Sequence, residues 1–275
     1  MTEAYQSLIA LGTGNAMVTR CFNTCFALRL NGGCFLVDSG GGNGILKALE
    51  DAGILACDIH DIFITHAHTD HVLGMPWLVR GIGTEINAGR YDGVLNIYCH
   101  DMAERAIRTV CDLTVQKKFT KFFDDRIRFV TLNDGDTARI LDCEVDFFDI
   151  RSTKAKQFGM KVALPRGDSL VCLGDEPCDP VCEALAAGAD WLLCEAFCLW
   201  AHRDRFKPYE KNHSTAKDAA ELAERLGVKN LVLWHTEDKT LDTRAAAYTA
   251  EAKASFSGNI FVPNDLDVIA LDRVD

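Results

Sequence analysis

The 275-residue sequence has few prolines, no long apolar run and no obvious leader. Its six prolines are scattered, and no stretch rich in glycine, serine and proline marks a linker. No apolar run approaches the roughly 20 residues of a membrane-spanning helix. The N-terminus lacks the basic start and apolar core of a signal peptide. We therefore expect a single domain, residues 1–275, in the cytoplasm and without membrane contact.

Basic residues are in the minority, with 29 Lys and Arg against 40 Asp and Glu and a formal net charge of -11. A net acidic protein repels the phosphate backbone of nucleic acids at long range. A large nucleic acid is therefore not the expected partner, and any anionic ligand must bind at a local basic patch.

Disulfide and zinc-knuckle spacings are absent although the chain has 12 cysteines. No two of them are spaced Cys-x-x-Cys, which argues against a zinc knuckle and a thioredoxin-type site. Most stand inside apolar runs, which predicts small buried side chains in a reducing compartment.

Two clusters of short strands are each followed by alternating strands and helices. This pattern predicts an α/β (α+β) fold in which two sheets pack face to face with helices outside, a four-layer αββα sandwich. The strands are expected near 5–11, 24–30, 33–38, 60–65 and 94–99, and in the second half near 127–132, 143–150, 159–164, 169–174, 190–196, 229–235, 259–262 and 267–271. Helices are expected after 44, near 73–80, 101–111, 179–187, 215–226 and 242–256.

Three histidines and an aspartate lie within six residues in His66-Ala67-His68-Thr69-Asp70-His71. The motif follows the apolar strand Ile62-Phe63-Ile64-Thr65 directly. Imidazole and carboxylate are ligands that suit zinc, manganese or iron. The motif therefore predicts a metal site at the end of a strand.

This motif resembles that of the metallo-β-lactamase superfamily, and four further segments extend the resemblance to its ribonuclease Z branch. They are Leu11-Gly12-Thr13-Gly14-Asn15-Ala16, Phe35-Leu36-Val37-Asp38-Ser39-Gly40-Gly41, Leu173-Gly174-Asp175 and Leu231-Val232-Leu233-Trp234-His235. The resemblance implies a metallo-β-lactamase sandwich over the whole chain.

The resemblance also implies a ligand set. His66 and His68 would hold one metal, Asp70, His71 and His235 would hold another, and Asp175 would bridge the two. The expected cofactor is Zn²⁺, as one or two ions, with Mn²⁺ or iron as alternatives.

Arg151 departs from the family pattern, since it stands where a further histidine is expected to bind the first metal. A guanidinium stays protonated and does not coordinate a metal. Three outcomes stay open: one metal, two metals with another ligand filling in, or loss of activity. Arg151 is expected to bind a substrate anion instead, with Lys154 and Lys156 adding positive charge to the same side.

A second segment, Asn212-His213-Ser214-Thr215, resembles the ribonuclease Z stretch whose histidine assists the leaving group. Thr215 and Asp218 predict a capped helix that starts directly after it. Glu195 resembles the acidic partner that orients this histidine. The basic loop 202–211 is either a solvated loop or a lip for an anionic substrate.

These features predict a metal-dependent hydrolase of a small phosphodiester or a related anionic ester, by attack of a metal-activated hydroxide. Its expected catalytic residues are Asp70, His213, Glu195 and Arg151. A ribonuclease Z-type RNA endonuclease and a non-catalytic metal or ligand sensor are the alternatives. No long Gly/Lys-rich insertion for a large RNA is present, and a homodimer stays possible.

Overall fold

The computed structural model describes residues 6–271. Residue 5 of the first predicted strand lies outside this range, as do residues 1–4, which belong to the segment expected to lack a signal peptide. The described residues form two seven-stranded sheets.

The first sheet has the strand order β14-β1-β2-β3-β4-β5-β6. Strands β1 to β3 are antiparallel, as is the pair of β1 with β14, and β3 to β6 are parallel. The strands are β1 (Ser7–Gly12), β2 (Cys25–Leu30), β3 (Gly33–Val37), β4 (Ile59–Ile64), β5 (Leu95–Cys99), β6 (Ile127–Thr131) and β14 (Val268–Ala270).

The second sheet repeats this arrangement in the order β13-β12-β11-β10-β9-β8-β7. Strands β7 to β10 are antiparallel, and β10 to β13 are parallel. The strands are β7 (Thr137–Ile140), β8 (Cys143–Asp149), β9 (Phe158–Ala163), β10 (Ser169–Cys172), β11 (Trp191–Glu195), β12 (Asn230–Trp234) and β13 (Asn259–Phe261).

Helices cover the outer face of each sheet. The α-helices are α1 (Gly44–Asp51), α2 (Thr69–Val72), α3 (Met75–Asn87), α4 (Asp101–Thr114), α5 (Lys117–Thr120), α6 (Pro180–Ala186), α7 (Arg203–Phe206), α8 (Ala216–Leu226) and α9 (Arg244–Lys253). One apolar cluster joins the first sheet to α1, α3 and α4, and another joins the second sheet to α6, α8 and α9. A third cluster, which includes Phe35, Phe63, Phe147 and Trp234, lies between the sheets. The predicted four-layer αββα sandwich is confirmed.

The central strands are mostly apolar, as expected where both faces of a sheet are covered. Every residue of β11 and β12 is buried, whereas the edge strands β6 and β7 each contain two exposed residues.

Two sequence expectations about the strands were wrong. The strand near 127–132 was assigned to the second half, but it forms the edge strand β6 beside β5 of the first sheet. The edge strand β7 was not predicted, because it is only four residues long and only Ile140 is buried.

All 12 cysteines lie within the described residues as free thiols, and nine of them are buried. This agrees with their prediction as small apolar side chains. Within residues 6–271, no helix is both long and apolar enough to span a bilayer.

Candidate metal centre

The candidate ligands stand at the carboxyl ends of parallel strands from both sheets. The motif of residues 66–71 follows β4 and continues into α2, while Asp175 comes after β10 and His235 directly after β12. Open α/β sheets commonly bind ligands at this end of their strands. Chain segments that are distant in sequence therefore converge between the two sheets.

Asp38 fixes the orientation of the motif from the end of β3. Its carboxylate accepts hydrogen bonds from the backbone N–H of Thr65 at 2.8 Å and from the Thr65 hydroxyl at 2.8 Å. The same carboxylate lies 2.7 Å from Nδ1 of His71. A carboxylate at one ring nitrogen places the proton there and leaves the other nitrogen free for a metal. Asp38 therefore leaves Nε2 of His71 as the nitrogen that can bind a metal.

Asp175 lies at the centre of the cluster. Its Oδ2 is 3.7 Å from Nε2 of His66, 3.7 Å from Nε2 of His71 and 3.6 Å from Nε2 of His235. Oδ2 of Asp70 lies 3.3 Å from Nε2 of His71 and 3.7 Å from Nε2 of His235. Two overlapping three-ligand groups result, one with His66, His71 and Asp175, and one with Asp70, His71 and His235.

His68 extends the first group, because its Nδ1 lies 2.8 Å from Nε2 of His66. The structure thus brings together all six residues that the sequence singled out as ligands. Their role as ligands stays a prediction.

Unpartnered buried atoms show that this donor set fits a cation. Nε2 of His71, Oδ1 of Asp175 and both ring nitrogens of His235 are buried without a hydrogen bond to any described residue. Buried polar atoms rarely stay unsatisfied, and those that do point to an ion or a ligand. Imidazole nitrogens with carboxylate oxygens match the ligand preferences of Zn²⁺, Mn²⁺ and iron.

The electrostatics of the cluster keep its carboxylates ionised. Burial opposes ionisation of Asp70 and Asp175, yet the neighbouring imidazoles hold the pKa of both well below its ordinary value. Burial also opposes charge on His71, but Asp38 and Asp70 raise its pKa well above normal. Burial and the neighbouring His71 lower the pKa of His66. The two carboxylates thus stay negatively charged beside the imidazole rings.

His213 and Glu195 lie beside this cluster, as the sequence suggested. Oε2 of Glu195 is 3.6 Å from Nδ1 of His213, and Glu195 also accepts a hydrogen bond from the backbone N–H of Ser214. The ring centroids of His213 and His235 are 5.4 Å apart. The predicted cap follows: the Thr215 hydroxyl accepts from the backbone N–H of Asp218, and the Asp218 carboxylate accepts from the backbone N–H of Thr215.

Arg151 does not lie in this site, so the role expected of it is not supported by its position. Its guanidinium is 2.6 Å from a carboxylate oxygen of Asp134 and 3.6 Å from one of Asp149, and half of the side chain is exposed. Two acidic neighbours on the outer side of the loop attract the guanidinium away from the cluster. Sequence spacing alone did not reveal these partners.

A small cavity of about 220 Å³ opens over the cluster. Four ligand candidates line it, His68, Asp70, Asp175 and His235, together with His213, Lys154 and Lys211, which the sequence analysis had placed near the substrate. Asn15, Ala16, Met17 and Phe197 complete the lining and had been given no role at the site.

Phe197 is one of these newly placed residues, and its ring stacks on His213 with 4.8 Å between centroids and 10° between planes. A signal for it existed in its position two residues after Glu195. Of the basic loop, only Lys211 lines the cavity, whereas Arg203 stacks on Trp200 and Lys207 pairs with Glu210.

Comparisons with known proteins agree with this geometry. The family model of the anti-Pycsar protein Apyc1 matches residues 6–253. A ribonuclease Z from Methanothermobacter thermautotrophicus is 30% identical over 275 aligned positions, which cover 82% of this chain and 84% of the relative.

Solved structures support the same fold. The metallo-β-lactamase fold protein YhfI from Bacillus subtilis superposes with a TM-score of 0.78 at 18% identity, over 96% of this chain and 99% of that protein. The Zn²⁺-bound PqqB from Methylobacterium extorquens superposes with a TM-score of 0.72 at 15% identity, over 96% and 100% of the two chains.

Proposed function

Because the chain belongs to the family of the anti-Pycsar protein Apyc1, with the ribonuclease Z-like metallo-β-lactamase fold, we propose that it hydrolyses a small phosphodiester or a related anionic ester. The relatives of this chain are hydrolases of this superfamily, and the choice of substrate is our proposal. The observation that carries it is the small cavity in which the ligand cluster, His213 and two lysines meet.

The size of this cavity favours a small substrate. Its volume of about 220 Å³ lies below the range of roughly 300–1,000 Å³ that is usual for drug-sized ligands. The net charge of -11 also disfavours long contact with a polyanion. The family name describes action against Pycsar, and we extend that role to this chain.

The chain's own residues would divide the work as follows. His66, His68, Asp70, His71, Asp175 and His235 would hold one or two divalent ions. A bound ion of this kind lowers the pKa of water and polarises a phosphoryl oxygen.

Asp38 would keep the ring of His71 in the ligand orientation. His213, held between Glu195 and the ring of Phe197, would donate a proton to the departing oxygen through Nε2, which lies 3.4 Å from Nζ of Lys154. Imidazole suits this role because it exchanges protons near neutral pH.

Phosphodiester turnover tests this proposal directly. We expect the zinc- or manganese-loaded protein to hydrolyse bis-(p-nitrophenyl) phosphate and at least one cyclic mononucleotide, and His66→Ala and His235→Ala to lower kcat/KM by about 10²-fold or more. His202→Ala serves as the control, since His202 lies outside the cluster, and should keep wild-type activity.

A ribonuclease Z activity is the second candidate, favoured by the 30% identical relative of that name. A precursor tRNA in the same assay separates the two. Cleavage of the RNA in preference to every small diester would overturn our proposal, and metal binding without turnover of any phosphate, thioester or lactone would indicate a sensor.

A further inference from the structure

Lys154 is placed in the cavity by a buried carboxylate. Its Nζ lies 3.8 Å from Oε1 of Glu176 and 3.4 Å from Nε2 of His213. Glu176 is 3% exposed and directly follows Asp175 in the chain. It accepts hydrogen bonds from the hydroxyl of Ser152 at 2.6 Å and from Nδ2 of Asn212 at 2.5 Å.

These contacts fix Lys154 before any ligand arrives. Through its hydrogen bonds with Ser152 and Asn212, Glu176 connects the loop that carries Lys154 to the residue directly before His213. Holding a long side chain in one place otherwise costs rotamer entropy on binding. The ammonium group is thus preorganised at the cavity wall.

Lys211 brings a second positive charge to the same cavity. Its Nζ lies over the ring of Phe197, 4.8 Å from the centroid. Among residues 6–271, no carboxylate oxygen comes within 4.0 Å of this ammonium group. The charge of Lys211 is therefore held in position by an aromatic face and stays available to an anion.

The neighbouring cations are already neutralised elsewhere. Arg151 pairs with Asp134, and Lys156 pairs with Asp101 at 2.7 Å. Neither lines the cavity. Of the three cations in the segment 151–156, only Lys154 reaches the ligand cluster.

We propose that Lys154 and Lys211 form an anion-binding subsite that holds the non-bridging oxygens of a phosphate group beside the metal centre. The subsite supplies positive charge next to a centre that lacks the histidine expected at position 151, since Arg151 lies outside it and pairs with Asp134 and Asp149. Its ligand class is a phosphate ester or phosphate itself. This inference rests on the proposed function for its catalytic use, but phosphate binding is measurable without turnover.

Calorimetric titration of the metal-loaded protein with inorganic phosphate tests the subsite. Charged hydrogen bonds contribute about 1.5–3 kcal/mol, which corresponds to a factor of roughly 10 to 100 in affinity. We expect Lys154→Met to raise the Kd for phosphate by about tenfold or more, Lys211→Met to raise it less, and Lys154→Arg to restore most of the affinity. Where turnover is present, KM for bis-(p-nitrophenyl) phosphate should rise in the same order.

Lys156→Met is the matched control, because it removes one positive charge from the same segment but outside the cavity. It should leave the Kd for phosphate within about twofold of wild type. Metal content is measured for every variant by mass spectrometry and is expected to be unchanged.

Equal phosphate affinity of Lys154→Met and wild type would overturn the inference, as would loss of bound metal in that variant. The outcome is separable from that of the proposed function. Phosphate binding that depends on Lys154 without any phosphodiester turnover supports the subsite and rejects the activity. Phosphodiester turnover together with phosphate binding that does not depend on Lys154 supports the activity and rejects the subsite.

Discussion

Asp38 shows how a single side chain orients a ligand candidate of the cluster. It has a left-handed backbone with φ of 58°, directly after β3, and its two oxygens bind Thr65 and His71. His235 also has a positive φ, of 56°, directly after β12. Such conformations are uncommon for residues with a side chain and are found at functional sites. Both residues lie where the strand must end sharply to turn a side chain toward the cluster.

Close backbone approach supports the motif at Gly74, which makes a first prediction. A Cβ at Gly74 would lie 1.9 Å from the carbonyl oxygen of Ser39, a backbone atom that cannot move alone. The N–H of Gly74 also donates to the carbonyl of Gly40 at 2.9 Å. We expect Gly74→Ala to lower the free energy of unfolding by about 2 kcal/mol or more and to weaken zinc binding.

Gly81→Ala provides the control, because Gly81 lies inside α3, the helix that Gly74 precedes as its N-cap. A Cβ there meets no atom within 4 Å, so alanine should stabilise the protein by up to about 1 kcal/mol. Urea denaturation of the metal-free variants measures the free energy of unfolding of Gly74→Ala and Gly81→Ala. Equal stability of Gly74→Ala and wild type would show that the contact with Ser39 does not constrain the loop.

At the scale of elements, Asp190 connects the amino-terminal ends of the parallel strands β10, β11 and β12, opposite the ends that lead to the candidate ligands. Its carboxylate accepts from the backbone N–H of Ser169 at 2.8 Å and from the Ser169 hydroxyl at 3.1 Å, and lies 2.5 Å from Nζ of Lys229. These residues lie at the starts of β10, β11 and β12. Asp190 therefore helps to set the register of the strands whose far ends carry Asp175, Glu195 and His235.

Asp190 gives a prediction about pH. Burial opposes its ionisation, but Lys229 and the Ser169 donors hold the pKa of Asp190 below its ordinary value of 3.8. A carboxyl group with a lowered folded-state pKa contributes stability above its unfolded pKa and loses it as the pH falls through the folded value.

We expect Asp190→Asn to be less stable than wild type by about 1 kcal/mol at pH 7 and the difference to shrink as the pH falls below 3.8 and through the lowered folded-state pKa of Asp190. Chemical denaturation at a series of pH values measures it. A stability difference that is independent of pH would show that the charge of Asp190 does not contribute.

At the scale of the whole molecule, the candidate centre joins the two sheets. His66, His68, Asp70 and His71 come from the first sheet, and Asp175 and His235 come from the second. An ion that binds only this folded arrangement stabilises it in proportion to the logarithm of its concentration over Kd.

Metal removal should therefore lower the thermal stability. At a metal concentration of about 100 Kd the stabilisation is about 2.7 kcal/mol, which for a chain of this size corresponds to a Tm shift of roughly 5–10 °C. We expect EDTA to lower Tm by this amount and added zinc to restore it, as measured by calorimetry.

His235→Ala should shift much less on EDTA treatment, while His202→Ala should behave like wild type. A wild-type Tm that ignores both EDTA and zinc would argue against a metal centre that joins the sheets.

The sequence by itself determined the fold class, the order of most strands and the ligand candidates. The buried central strands are recognisable as mostly apolar runs, and the histidines clustered after β4 indicate a metal site. Both signals lie within short stretches of the chain, so they can be read without the tertiary structure. The cap formed by Thr215 and Asp218 is local as well, and it was confirmed.

Only the tertiary structure decided which charges face the cavity. Arg151, Lys154 and Lys156 are alike in sequence, yet aspartates far away in the chain, Asp134 and Asp101, hold two of them outside. The edge strand β7 was missed for the same reason, since its pairing with β8 and not its composition makes it a strand. The local sequence does not distinguish these three cations from one another, nor β7 from a loop; their partners elsewhere in the chain do. Electrostatic and hydrogen-bond energies depend on distances between such partners, and only folding determines those distances.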